Sequence, residues 1–284
     1  MTEAMRLFTL QIVLIAVVLI QHTYLGLHII RRTLIFSDLV LDQLAAFGAL
    51  VGVGLGIAYA SPGSYVLASA AVLFGAFLLA VVTPRGPAIP REAVIGILFA
   101  MALVLSLLWT DKLPGGEAYV ETTMSGYLLW VSWPLIRVTV LVYLVLTVVH
   151  YVLRHQFIAL AERPGQLKHP RLWDFLFFTT QGIITVLIVP IAGVLLAYSF
   201  LMIPAATATL FTKRWGLATL LGWTVGFVAC LLGLGSSYAW NLPYGPTLVL
   251  SLGLFFLGGI VLKAVLRAKP CPRAARENTA LVAS

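Results

Sequence analysis

Between residues 172 and 212 the sequence is almost continuously apolar, and that run is interrupted by Pro190 and Pro204. It is too long for one bilayer-crossing helix, which needs roughly 20 apolar residues. Proline removes a backbone donor and breaks or kinks a helix, so the run reads as two short spans, 173–189 and 191–212. The same measure places further spans at 7–30, 37–60, 65–83, 92–110, 135–153, 215–234 and 246–267. That makes nine, with eight as the competing count. The first apolar run is too long for a cleaved signal segment and is kept as a span. With 61% hydrophobic and only 10% charged residues among 284, the chain reads as an all-α, polytopic membrane helix bundle of 8–9 transmembrane helices.

The net charge of +8 would suggest nucleic acid in a water-soluble domain. Here it follows the loops. Arg31 and Arg32, Arg85 and Arg91, the segment from Arg154 to Arg171, Lys213 and Arg214, and the tail from Arg267 to Arg276 all fall on one side if nine spans are counted. Basic loops mark the cytoplasm, so the N-terminus is expected outside and the C-terminus inside. Eight spans would strand Lys213 and Arg214 on the wrong side. One transmembrane domain over 1–267 is expected, followed by a cytoplasmic, disordered tail over 268–284. Cys230 and Cys271 fit neither a disulfide nor a zinc spacing.

The longest cytoplasmic loop, 154–172, begins as a short amphipathic stretch with Phe157, Ile158, Leu160 and Ala161 among polar residues, then breaks at Pro164 and Gly165. It is read either as a helix lying on the membrane surface or as a solvated connector. The outer segment 112–134 carries Tyr127, Trp130 and Trp133, which suit the interfacial aromatic belt, and an interfacial helix is expected there.

The chemistry concentrates in 31–56. Asp38 and Asp42 lie one turn apart on one helix face, with Cβ atoms about 6 Å apart. Carboxylates inside a span are costly and mark an ion or substrate path by default. The structural alternative pairs Asp38 with Arg31 or Arg32, about 10 Å back along the helix. Gly48, Gly52 and Gly56 give the helix a bare flank for close packing. The other candidate ligands within the membrane are Gln21, His22, His28, Gln43, His150 and Gln181, and the lone histidines are read first as hydrogen-bonded packing residues. Carboxylate and amide oxygens are hard ligands suited to manganese, magnesium, calcium or ferrous iron rather than zinc or copper. No phosphate-cradling loop, zinc-hydrolase helix or serine nucleophile frame is present, so any ATP hydrolysis belongs to another chain.

Four stretches, in order, resemble the membrane permease of bacterial ABC importers for zinc, manganese and iron. They are LGLHIIRRTLIFSDLVLDQLAAFGALVG (25–52), GYLLWVSW (126–133), the segment 173–208 ending in IPAATA, and GLGSSYAWNLPYGPTLVL (233–250). The resemblance implies a type II importer-like permease in the inner membrane, working as a homodimer. Two cytoplasmic ABC ATPase subunits would dock on it, and an extracytoplasmic metal-binding protein would deliver the ion. It also implies no permanently bound cofactor, a divalent metal as cargo and ATP on the partner subunit. Asp38 and Asp42 map onto the family's pathway aspartate and histidine, with Gln43 and His28 as second-line candidates. Loop 154–172 takes the place of the coupling helix, with Phe157, Leu160 and Glu162 as coupling residues. The chain departs from the family pattern at Asp42, where a histidine is usual, at Ser37, where a glycine is usual, and at Asn241, where an acid is usual. Two other readings stand beside this one: a proton-coupled secondary transporter using Asp38 and Asp42, and an accessory membrane subunit whose carboxylates only pair with arginines.

Overall fold

A computed structural model describes residues 3–82, 89–126 and 133–268, with side chains from residue 8 onward. The described residues form ten α-helices: α1 (Glu3–Arg32), α2 (Phe36–Gly54), α3 (Pro62–Val81), α4 (Arg91–Thr110), α5 (Gly116–Ser125), α6 (Trp133–Val152), α7 (Arg154–Glu162), α8 (Pro170–Phe211), α9 (Trp215–Trp240) and α10 (Tyr244–Ala268). Eight of them are long and apolar enough to cross a membrane. The expectation of an all-α membrane bundle is met.

The helix boundaries follow local chemistry. The end of α1 is closed by Thr33 in the left-handed region, with the Thr33 amide on the Ile30 carbonyl and the Leu34 amide on Ile29, a hydrogen-bonded C-terminal cap. Helix α3 opens on Ser61, whose hydroxyl accepts from the Ser64 amide, with Pro62 at the first position, where its missing donor costs nothing. Helix α2 stops at Gly54 and not at residue 60, because Gly56 turns the chain at φ +79°.

Helix α8 decides the topology. A straight helix would hold Asp174 and Lys213 about 58 Å apart. Instead Asp174 pairs with Arg32 while the Lys213 carbonyl accepts from the neighbouring Arg31, so both ends of α8 lie at the same end of the bundle. The chain reverses at Gly193, where φ is +74° and ψ is 165°. Segments 170–192 and 194–211 are therefore two antiparallel legs, and the second, about 27 Å long, is still long enough to cross. Eight apolar helices thus supply nine crossings. The break expected at Pro190 falls three residues later, because a reversal needs the positive φ that glycine adopts freely and proline cannot.

At the apex Gly193 meets Gly126, itself at φ +71°. A side chain on Gly193 would come within 2.5 Å of the Met124 carbonyl oxygen and the Gly126 amide. Gly245, at the start of α10, lies close to the Ser125 carbonyl at the same end. Helix α5 falls within the segment 112–134 where an interfacial helix is expected; Tyr127, Trp130, Arg85 and the tail beyond Ala268 lie outside the described residues.

Helix α2 is packed against α3, α4 and α8, while α1 lies on α8 and α9. The glycine flank of α2 does what its spacing predicts. A methyl on Gly48 would sit 2.6 Å from the Leu67 carbonyl oxygen and one on Gly52 3.2 Å from the Leu67 side chain, both on α3. Gly56 lies beyond the contact and serves only the turn. Helices α6 and α10 present long apolar outer faces, such as Leu141, Leu144 and Val148 on the first and Leu250, Leu254 and Leu257 on the second.

Candidate functional site

Asp38 and Asp42 project from the first two turns of α2 into the interior and are 2% and 1% exposed. The facing leg of α8 answers with the same one-turn spacing. Gln181 Nε2 donates to Asp38 Oδ1 at 2.6 Å, and the Thr185 side chain hydrogen-bonds Asp42. The result is a two-rung ladder across α2 and α8. Two polar groups remain open beside it: Asp42 Oδ2 and Gln181 Oε1 are buried and have no partner. Tyr143 of α6 and Tyr198 of α8 lie within electrostatic reach of both carboxylates, and the Tyr143 hydroxyl is likewise buried and unpartnered.

Burying carboxylates costs several kcal/mol per ion unless charge and hydrogen bonds compensate it. Neutral donors supply part of that here, and no arginine does. Arg31 instead pairs with Glu162 at 3.0 Å, and Arg32 pairs with Asp174. The sequence alternative of an Asp38–arginine pair is therefore not what the fold adopts. Among the described residues no group of three or more histidine, cysteine, aspartate or glutamate side chains could hold a metal ion. An oxygen-lined pair of carboxylates with two unpaired oxygens can bind a hard cation without completing its shell, the weak coordination that lets an ion pass.

The remaining sequence candidates go elsewhere. Gln43 is buried beside the pair in sequence, with its own Oε1 unpartnered. His28 faces an aromatic cluster of Tyr24, Trp215, Phe177 and Phe157. His22 bonds the Val18 carbonyl through Nδ1 and stacks on Tyr143, and His150 bonds Thr180; both match the packing role read from the sequence.

Asp174 is the charged residue that sequence reading passed over. It lies in the first turns of α8 and takes Arg32 on one oxygen and Arg91 on the other, the latter at 3.1 Å. This nearly buried triad ties α1, α4 and α8 together, with the Arg32 guanidinium also over the Phe177 and Phe178 rings. The signal was present: an acid inside an apolar run is as informative at 174 as at 38.

Helix α7 sits beneath this assembly. Phe157 and Leu160 are buried, with Phe157 stacked on His150 at 4.3 Å and edge-on to Trp173. Glu162 accepts from Arg31 and from Trp215 Nε1 at 2.7 Å, and the Arg31 guanidinium carbon lies 3.8 Å from the centre of the Trp215 ring. His155 on α7 and the turn that follows it, with Arg163, Pro164 and Gln166, are exposed.

A family model described as the ABC 3 transport family matches residues 5–263. The chain belongs to this family. It is a multi-pass membrane protein, and the resemblance read from its four stretches holds. A probable metal transport system membrane protein of Chlamydia pneumoniae is 26% identical over 179 residues, covering 61% of this chain and 60% of that one. The chain thus spans about three fifths of the length of the Chlamydia relatives it matches. The manganese import system permease protein ScaB of Streptococcus gordonii is 26% identical over 196 residues, 66% of this chain and 69% of ScaB. Among solved structures, PsaBC from Streptococcus pneumoniae in complex with Fab superposes with a TM-score of 0.72 at 21% identity, covering 88% of this chain and 89% of that one. At that identity the likeness speaks for the fold.

Proposed function

We propose that the chain is the membrane permease of an ABC-type importer for a divalent metal ion, with manganese or ferrous iron preferred over zinc. The observation that carries this reading is the buried Asp38–Asp42 ladder with its unpaired oxygens, in a family whose relatives include a manganese import permease. The donors are all oxygen, which favours hard cations. Asp38 and Asp42 form the low-affinity waypoint, with Gln43 behind them, and His28 belongs to the aromatic floor above α7.

ATP hydrolysis lies on a separate cytoplasmic ATPase dimer that docks on the exposed side of α7. Phe157 and Leu160 anchor that helix and Glu162 links it to α1 and α9. A second permease copy and an extracytoplasmic metal-binding protein complete the importer in the bacterial inner membrane. The end of the bundle that carries α7 and the arginines faces the cytoplasm, which puts the N-terminus outside.

Reconstitution with the cognate ATPase and binding protein tests this. Manganese-stimulated ATP hydrolysis and uptake should appear and be lost in Asp42→Ala. Uptake driven by a proton gradient with no ATPase present would overturn the reading in favour of a proton-coupled carrier.

A further inference from the structure

A crevice of about 540 Å³ opens on the membrane flank between α1, α6, α7 and α9, apart from the carboxylate ladder. Its rim holds Ile20, Tyr151 and Leu220, which are exposed where the bilayer lies. Its walls are mostly apolar, and directly behind them three lining residues each keep a buried polar atom unpaired: Gln21 Nε2, the Tyr24 hydroxyl and His150 Nδ1. Gln21 and His150 are each 2% exposed, so these are groups the protein desolvates and leaves open at a cost.

The directions of the hydrogen bonds fix what the crevice offers. Thr147 donates to Gln21 Oε1, which leaves the amide nitrogen as an unspent donor. Thr180 spends its hydrogen on the Phe177 carbonyl, so His150 Nε2 donates to Thr180 and Nδ1 is left as an acceptor. Tyr24 adds a second free donor. At the end nearest α7 stands Arg154, which bonds only the Tyr151 carbonyl and lies over the Tyr151 ring. No carboxylate is among the residues lining the crevice.

An apolar slot open to the bilayer, with unspent donors behind its wall and a cation at the end on the membrane surface, matches one class of molecule. We infer that the crevice is a binding site for an anionic phospholipid of the leaflet on the α7 side. The phosphate pairs with Arg154 and an acyl chain lies along Trp223 and Leu220, and a rotation of Tyr24 or Gln21 would bring its buried donor to an ester carbonyl. The lipid would touch Ile158 of α7 and Trp215, the residue that holds Glu162, so its occupancy bears directly on how α7 is seated. This site does not depend on which ion the permease carries.

The full chain in nanodiscs, photolabelled with a diazirine-bearing phosphatidylglycerol or phosphatidylcholine, provides the test. Peptides of α6 and α9 that line the crevice should be labelled with about a fivefold preference for the anionic lipid, the weight of one interfacial arginine. Arg154→Gln should abolish the preference. A side chain at Gly216 enters open space, so Gly216→Phe should fill the crevice without disturbing the fold and remove labelling by both lipids. Equal labelling by the two lipids would mean an annular lipid only, and a preference that persists in Arg154→Gln would place the charge recognition elsewhere. Disulfide-linked dimers of Gly216→Cys would mean that a second copy covers the crevice. Any of these outcomes overturns the inference.

Discussion

Arg32 is ion-paired with Asp174 of α8 and not with Asp38, although Asp38 lies only six residues further along the chain. The choice separates two kinds of carboxylate in one bundle: Asp174 is compensated twice over, while the ladder carries no fixed countercharge and is left to neutral donors.

Removing Asp174 should therefore damage the fold rather than the path. Asp174→Asn strands two largely buried guanidinium groups and should cost about 3–5 kcal/mol, read as a lower unfolding midpoint in detergent. Adding Arg32→Met to that variant should recover part of the loss, and equal stability of wild type and Asp174→Asn would contradict the triad's role.

The ladder should behave in the opposite way. Asp42→Asn removes a carboxyl that is costly to ionise in this buried site, so it should leave stability within about 1 kcal/mol of wild type while abolishing uptake, the usual trade at a functional site. Asp42→His, which restores the residue usual in the family, should shift selectivity toward zinc by about tenfold in competition uptake, because imidazole suits zinc better than a second carboxylate does.

Gly193 cannot be replaced cheaply. Alanine there must hold a positive φ and crowd the Met124 carbonyl, and about 1–3 kcal/mol of backbone strain is expected. Gly216→Ala, at an open helical position, is the control and should leave the midpoint within about 0.5 kcal/mol.

Glu162→Gln keeps the side chain's shape but loses the ion pair to Arg31. The pair is half exposed, so little stability is at stake. The expected result is normal assembly with ATP hydrolysis that no longer responds to metal, measured side by side in proteoliposomes. Preserved coupling would show that α7 transmits through Phe157 and Leu160 alone.

Much of the molecule is legible in the sequence because membrane spans are read from length and composition. The expected span 92–110 became Arg91–Thr110 and 135–153 became Trp133–Val152. Asp38 and Asp42 stood out for the same reason, as charge where charge is expensive. The misreadings came from partners distant in the chain. Pro190 is the stronger local breaker in the sequence, but the φ that the reversal requires belongs to Gly193. Asp174 was passed over because its justification, Arg32 and Arg91, comes from two other helices. Gln181 stands out in the sequence as a candidate ligand, but its pairing with Asp38 does not, and Thr185 gives no signal until α8 is laid against α2. For Phe157 and Leu160 the amphipathic pattern identified the buried side of α7, but the sequence could not say that burial would be against the bundle and not against a partner.

The corner between α1 and α2 is short and stiff. Thr33 is fixed by the cap that ends α1, and Ser37 is tied to the Leu34 carbonyl through both its amide and its hydroxyl. Arg31 grips Glu162 on one side of this corner, and Asp38 stands on the other side. There is little slack between them to absorb displacement. A tilt of α7 would therefore be passed on as a rotation of the first turn of α2, with α7 and Asp38 as the two ends of one short crank.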